Sequence, residues 1–203
     1  MGHCVIFCAG GFTELAQPLE EGDFVIAADG GLRHTRALGI EADAVLGDFD
    51  SLGFVPEQAE RFPVEKDDTD AMLAVRLGLE KGFDRFVIYG GLDGPRLDHT
   101  VANLQTLCYL AHHGAQGWLF GEDYTVTAVK DGRLEFPATS RGVISLFCFG
   151  EPACVSIEGL KYTLEKGSLE SHFPLGVSNR FVGKAATVTV HSGTVVAMWE
   201  RMN

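Results

Sequence analysis

Basic residues are scarce in this chain: 16 Lys and Arg stand against 28 Asp and Glu, a formal net charge of −12 over 203 residues. A surface of that sign repels nucleic acid and anionic membrane, so neither is expected as a partner. An anionic small molecule would need local help from a cation, backbone amides or a few Arg and Lys side chains. A bilayer-spanning apolar run is also missing. The span 100–120 carries no Asp, Glu, Lys or Arg, yet Asn103, Gln105, His112, His113, Gly114 and Gln116 break it up. Cysteine is odd in number (Cys4, Cys8, Cys108, Cys148 and Cys154) and forms no CxxC pair. That excludes a zinc ribbon or a dense disulfide framework and fits free buried thiols in a reducing compartment. The opening MGHCVIFCAGG has no basic leader, and Ile6 stands where a myristoylation signal needs Ser or Thr. A cytoplasmic protein without a signal peptide is expected.

Several catalytic signatures are absent too. No GxxxxGK[ST] occurs, because Gly183-Lys184 is followed by Ala185; no GxGxxG follows a strand, and no HRD, DFG or HExxH is present. Ser51 lacks a GxSxG frame, which excludes the usual serine nucleophile.

What is present falls into two halves. At 46% apolar and 22% charged, the chain has an ordinary globular balance, and its length suffices for one large domain or two small ones. CVIFCA (4–9), FVIAA (24–28), DAVLG (43–47) and RFVIYG (85–90) read as strands closed by Gly or Asp. Between them GLRHTRALG reads as a short helix and TDAMLAVRLGLEKG as a longer one, with Met72, Val75 and Leu79 sharing a face beside Leu73 and Leu77. DHTVANLQTLCYLAHHG follows, with Val101, Leu104, Cys108 and Ala111 on one stripe. Apolar strands interleaved with amphipathic helices indicate a parallel sheet covered on both faces. From about Tyr124 the pattern turns to strands. YTVTAVKDGRLEF carries a hairpin signal at Asp131-Gly132, and GVISLFCFG, ATVTVHSG and TVVAMWE are further strands. A second, smaller all-β domain is expected, with the join near 124–131.

The segment LGDFDSLG (46–53) sets two aspartates, Asp48 and Asp50, one residue apart after an apolar run. In extended backbone alternate side chains share a side, so the two carboxylates would face together with Phe49 turned away. Each then raises the cost of ionising the other. A solvated turn is one reading. The other is a cation site, since two hard oxygen ligands on one side suit Mg²⁺, with Asp70 as a third. Open α/β sheets bind ligands at the carboxyl edge of their strands. Asp29 ends the second strand, Asp48 and Asp50 the third, and Asp93, Arg96, Asp98 and His99 follow the fourth; KDDTD (66–70) opens the helix before it. Four distant motifs are therefore expected on one rim. Each also has a plain structural role. Asp67, Asp68 and Thr69 suit a helix cap, as does Asp98. Gly30-Gly31 and Gly90-Gly91 suit turns or a close approach of phosphate to backbone amides. Arg96 suits a salt bridge to Asp98 or a phosphate clamp. His99 is read as a polar supporting or capping residue, and Trp118 and Trp199 as core.

ADGGL, LGDFDSL, KDDTDAML, YGGLDGPRLDHTVANL and GVSNRF occur in the order found in thiamine pyrophosphokinases, over nearly the whole chain. The combination of GDFDS, DxTD and RxDH is far more specific than any one of them, and the sequence resembles that family. The resemblance implies a Rossmann-like α/β catalytic, ATP- and Mg-binding domain over 1–126 and a smaller, sandwich-like β-rich thiamine-binding domain over 127–203. It further implies a homodimer with the active site at the subunit junction. The implied reaction transfers a diphosphate from ATP to the hydroxyl of thiamine, giving thiamine diphosphate and AMP, with Mg²⁺ as cofactor. Carried over by position, Asp29, Asp48, Asp50, Asp67, Asp70 and Asp98 match the family's acidic active-site positions, Arg96 and Asn103 its RxD…N pattern, and Ser178 and Asn179 the SN pair that contacts thiamine. Asp48, Asp50 and Asp70 are the expected metal ligands, and Asp50, Asp70 and Asp98 the expected catalytic residues, Asp98 as base or second-ion ligand. Gly30, Gly31, Gly91 and Arg96 are expected on phosphates, and Asp67, Thr69 and Asn103 elsewhere in the substrate site. Arg180 departs from the pattern, since Glu often follows the SN pair; a cation is unfavourable beside a thiazolium, so Arg180 is expected to point away or to meet a phosphate. Competing readings are a diphosphokinase acting on another heterocycle such as a hydroxymethyl pterin, a metal-dependent phosphohydrolase, and a non-catalytic thiamine or nucleotide sensor.

Overall fold

The structure is a computed structural model that describes residues 2–47, 60–61 and 68–201. It divides into two compact units, the first of residues 1–106 and 114–122, the second of residues 107–113 and 123–203. Among the described residues no helix is long and apolar enough to cross a membrane.

The first unit holds six parallel strands: β1 (Cys4–Phe7), β2 (Phe24–Ala28), β3 (Ala44–Gly47), β4 (Glu60–Arg61), β5 (Arg85–Tyr89) and β6 (Gln116–Phe120). Their spatial order is β4-β3-β2-β1-β5-β6. The chain moves outward from β1 through β2, β3 and β4, then returns by way of α2 (Asp70–Glu80) to place β5 on the other side of β1. Such a reversal opens a crevice at the carboxyl ends of the two strands beside it, here β1 and β5. In-register rows such as Ile6 between Ile26 and Ile88 explain why these strands read as unbroken apolar runs, because both faces are covered.

The helices pack differently from their apolar stripes. In α2 the buried residues are Ala71, Ala74, Val75 and Gly78, so the large side chains Met72, Leu73 and Leu79 flank the contact instead of making it. The sheet sets this: a Cβ at position 78 would stand 2.5 Å from Phe86 and 2.7 Å from the Cys4 sulfur. Helix α3 (Leu97–His112) buries Asn103, Thr106, Leu107 and Leu110, while Val101 of the expected stripe is exposed. An aromatic cluster fills one face of the sheet. Tyr89 stacks on Phe7 at 5.3 Å and on Phe120 at 5.6 Å, with Phe12 edge-on at 5.5 Å. The Tyr89 hydroxyl accepts from the Ala16 N–H at 3.1 Å and so fastens the long segment after β1 over this core.

The second unit carries β7 (Tyr124–Lys130), β8 (Arg133–Phe136), β9 (Val143–Cys148), β10 (Ala153–Glu158), β11 (Leu164–Leu169), β12 (Asn179–Arg180), β13 (Ala186–Ser192) and β14 (Thr194–Glu200). All pairings are antiparallel, in the orders β12-β9-β14-β7 and β11-β10-β13-β8. Alternate residues of both sheets, among them Ile144, Leu146, Val155, Ile157, Val188 and Val190, form one core, with Trp199 edge-on against Phe136 at 5.3 Å. The hairpin expected at Asp131-Gly132 does not form. Strand β7 pairs with β14 and β8 with β13, so the turn is a corner between sheets. Long-range bonds decide this: the Asp131 N–H donates to the Gly193 carbonyl at 3.2 Å, and Asp131 Oδ1 accepts from the Gly193 N–H at 2.9 Å. Strands β4, β6, β10, β11 and β12 have no counterpart among the expected strands; the mixed burial of LEKGSL reflects its place at a sheet edge.

Candidate active site

A cavity of about 430 Å³ lies in the first unit at the carboxyl edge of β1, β2 and β5, within the range of small-molecule sites. Each strand delivers its own contribution. Cys8, Ala9 and Gly10 follow β1; Ala28 and Asp29 end β2; Gly90, Gly91, Gly94, Pro95 and Arg96 follow β5. Thr69, Asp70 and Ala71 come from the start of α2, and His99, Thr100 and Asn103 from the first turns of α3.

Local chemistry fixes these side chains. Asp29 has φ 47, a left-handed conformation rare for a residue with a Cβ, and begins a 3-10 turn through Gly31 that leads into α1 (Leu32–Leu38). Strain of this kind concentrates at functional positions. Thr69 caps α2, its hydroxyl accepting from the Met72 N–H at 3.2 Å, which sets Asp70 in the first turn. Asp68 turns to Arg76 at 2.8 Å instead. Asn103, buried, donates to the Gly91 carbonyl at 2.8 Å. A Cβ at Gly91 would stand 2.5 Å from the Leu119 Cδ1 and 3.1 Å from the Asn103 amide, so a larger residue there would have to displace one of them.

Arg96 and Asp98 form a two-pronged pair, with Nη2 to Oδ2 at 2.6 Å and Nε to Oδ1 at 2.9 Å. The hydrogen bond from Arg96 holds the Asp98 carboxyl down at about 2, although both side chains are about two-thirds exposed, at 65% and 64%. Arg96 borders the cavity and Asp98 does not. Among the described residues the charged lining is thus Asp29 and Asp70 against a guanidinium already engaged. Burial, with the Asp70 charge adding to it, pushes the Cys8 thiol up to about 12, so it offers no thiolate.

Among the described residues no group of three or more His, Cys, Asp and Glu stands together as a metal site. Asp29 and Asp70 alone give one cavity two hard carboxylates beside a protonated thiol. That donor set fits an oxygen-seeking divalent cation that takes its remaining ligands from phosphate and water. Asp48, Asp50 and Asp67 lie outside the described residues. Of the other expected site residues, Asp29, Thr69, Asp70, Gly91, Arg96 and Asn103 come together; Gly30 and Gly31 are buried in the turn below, and Asp98 stands outside. Ser178 and Asn179 belong to the second unit. Ser178 has φ 61 and donates its N–H to the Ser145 hydroxyl at 3.0 Å. Asn179 is buried: its oxygen accepts from the Tyr162 and Arg180 N–H groups, and its amide donates to the Tyr162 carbonyl at 2.7 Å. Most of its hydrogen-bonding capacity therefore holds backbone. Arg180 is exposed. Cys8, Gly10, Pro95 and Thr100 were missed as lining residues; the signal for the first two was their place just past the end of β1.

Two family descriptions match the chain. Thiamin pyrophosphokinase, catalytic domain, covers residues 15–119, and thiamin pyrophosphokinase, vitamin B1 binding domain, covers residues 133–195. The chain belongs to the thiamin pyrophosphokinase family. Solved structures agree in fold. The thiamine pyrophosphokinase of Bacillus subtilis superposes with a TM-score of 0.86 at 24% identity, covering 99% of this chain and 100% of that one. A family protein from Enterococcus faecalis gives 0.80 at 23% identity, with 99% and 100% covered. The thiamin pyrophosphokinase of Candida albicans gives 0.77 at 15% identity, with 99% and 90% covered. A comparison with curated protein sequences finds no match.

Proposed function

We propose that the chain is a Mg²⁺-dependent thiamine diphosphokinase, transferring the diphosphate of ATP to the hydroxyl of thiamine with release of AMP. The observation that carries this reading is the cavity at the ends of β1, β2 and β5, which joins Asp29, Asp70, Arg96 and glycine backbone in a chain matched by both family descriptions. In the reaction the thiamine hydroxyl oxygen forms a bond to the β-phosphorus as the bond from that phosphorus to the α,β-bridging oxygen breaks; AMP leaves with the electron pair and the hydroxyl proton is released to solvent. Positioning and charge neutralisation do most of the work in such displacements.

Asp29 and Asp70, with Asp48 and Asp50, are the residues to hold Mg²⁺, which when bound neutralises phosphate charge in the transition state. Arg96 meets a phosphate oxygen from the cavity rim. The low Asp98 carboxyl is a weak proton acceptor, which supports a role in orienting Arg96 over one as general base. Asn103 and the backbone at Gly91 fix another part of the lining. In the second unit, exposed Tyr162, Phe173, Leu175, Val177 and Val182 surround the Ser178-Asn179 segment in sequence or through hydrogen bonds. Their exposure supports burial of these side chains against a second copy of the chain, and light scattering in solution tests that dimer. The activity test is product analysis: thiamine, ATP and Mg²⁺ should yield AMP and thiamine diphosphate. ADP, free phosphate without acceptor, or AMP formed only with a pterin acceptor would each overturn the assignment.

A further inference from the structure

Gly10 lines the cavity just after β1, and a second glycine, Gly11, follows it directly. Close backbone approach requires both. A Cβ at Gly10 would stand 2.5 Å from the Gly90 carbonyl oxygen, and one at Gly11 would stand 2.5 Å from the Asp93 carbonyl oxygen. The same absence of side chains leaves the peptide between them free to rotate, since neither neighbour restricts its backbone angles. A cavity wall made of such a peptide needs something else to fix its orientation.

Both polar atoms of that peptide are held. On the β5 side the Gly11 N–H donates to the Asp93 carbonyl at 2.5 Å, with the Gly10 N–H donating to Gly90 at 2.9 Å just before it. On the β2 side the Gly10 carbonyl lies 2.8 Å from His34 Nε2. A carbonyl only accepts, so Nε2 carries the proton. The imidazole is itself packed, 5.3 Å from the Phe12 ring, which leans on Phe7 and Tyr89 in the aromatic cluster. His34 sits in α1, directly after the turn that presents Asp29, so this one bond ties the β1 end of the cavity to its β2 end.

We propose that His34 is a positioning residue for the nucleotide: it pins the Gly10–Gly11 peptide and so presets the cavity wall before ligand arrives. The inference rests on the nucleotide reading of the cavity. Without the imidazole donor only the Gly11 N–H bond holds the peptide, its carbonyl is free to tilt, and affinity falls by the fraction of molecules in the binding orientation. The chemical step, which takes place in the bound complex, changes little.

The test compares His34→Met with His34→Gln, two unbranched side chains of similar length of which only Gln keeps an N–H donor. The readouts are the Kd of α,β-methylene-ATP with Mg²⁺ by calorimetry, and kcat and KM for ATP. His34→Met should raise Kd and KM about five- to tenfold, the scale of one lost hydrogen bond, with kcat within about twofold. His34→Gln should restore both to within about twofold of the parent. An unchanged Kd in His34→Met, or a Gln variant no better than Met, overturns the proposal. If His34→Met does not fold, His34→Ala, the best helix former, takes its place in the comparison; failure of both to fold makes His34 a stability residue and also overturns it. A parent protein that binds the analogue but makes no AMP from thiamine and ATP removes the diphosphokinase reading alone, and the Kd comparison still decides the role of His34.

Discussion

The Asn103 amide donates to the Gly91 carbonyl at 2.8 Å, and this buried bond joins the second turn of α3 to the loop that follows β5. Asn103→Ala leaves a buried carbonyl without its partner, which costs about 1–3 kcal/mol. Urea unfolding should show that loss as a lower midpoint at unchanged slope. Turnover should fall as well, because Gly91 and Asn103 both line the cavity. A variant with parental stability would mean that water or a shifted neighbour satisfies Gly91.

Gly91→Ala tests the same contact from the other side. The added methyl meets Leu119 at 2.5 Å and the Asn103 amide at 3.1 Å, so one of them must move. Overpacking of this kind costs about 1–3 kcal/mol. Asn103→Ala and Gly91→Ala act on touching groups, so the double variant should be less destabilised than the sum of the two singles. Strict additivity, measured by the same urea titrations, would count against a shared contact.

The first unit was legible because its physics is local. Strands buried on both faces read as CVIF, FVIAA and RFVIY, and Thr69 marks the start of α2 by capping it. The convergence of Asp29, Asp70, Gly91 and Arg96 followed from one rule about strand ends. What escaped was set by partners far away in sequence. Asp131-Gly132 carries the residues of a hairpin turn, yet bonds to Gly193 make it a corner between sheets. Helix α2 has an obvious large apolar face, yet Phe86 and Cys4 leave room only for Gly78 and its small neighbours. Arg96 suits a salt bridge to Asp98 or a phosphate clamp on sequence alone, and geometry gives it Asp98 while leaving it at the cavity rim.

Asp68 and Asp70 are two residues apart and should behave oppositely. Asp70 lines the cavity, whereas Asp68 pairs with Arg76 at 2.8 Å. Asp70→Asn should lower kcat by roughly 10²-fold or more, the scale of a lost positioned electrostatic group. Asp68→Asn should cost at most about 1 kcal/mol of stability, as for a partly exposed ion pair, and leave kcat within about twofold. Asp50→Asn, expected at the metal, should match Asp70→Asn. Steady-state kinetics across a Mg²⁺ titration decides this, and parental activity of Asp50→Asn at limiting Mg²⁺ would remove that residue from the metal site.

The Arg96–Asp98 pair predicts a specific pH dependence. Asp98 titrates at about 2 in the folded protein because Arg96 bonds to the charged form. A carboxyl lowered on folding contributes stability above its unfolded value, near 4, and that contribution is lost as pH falls toward 2. Because both groups are exposed, the contribution is small and screened by salt. Carbon-detected NMR titration should give a midpoint for Asp98 near the low value in the parent, rising into the ordinary carboxylate range in Arg96→Met. An unchanged midpoint in that variant would show that the ion pair does not persist in solution.

The thiols give a further check on the cavity floor. Burial pushes Cys4 and Cys8 each up to about 12, so at pH 8 only about one molecule in ten thousand carries either thiolate. Since the thiolate is the reacting species, both residues should label only slowly in the native protein under a disulfide-exchange reagent, while the partly exposed Cys154 reacts first. All five cysteines are free among the described residues, so denaturant should release five equivalents. Cys8 differs from Cys4 in lining the cavity beside Asp70. Its slow native-state labelling should therefore fall further when α,β-methylene-ATP and Mg²⁺ occupy the cavity, whereas Cys4, packed against Gly78 on the sheet, should respond only to global stabilisation. Peptide mapping of the labelled protein separates the two sites. Equal protection of both by the nucleotide, or fast labelling of Cys8 in its presence, would mean that the nucleotide does not cover Cys8.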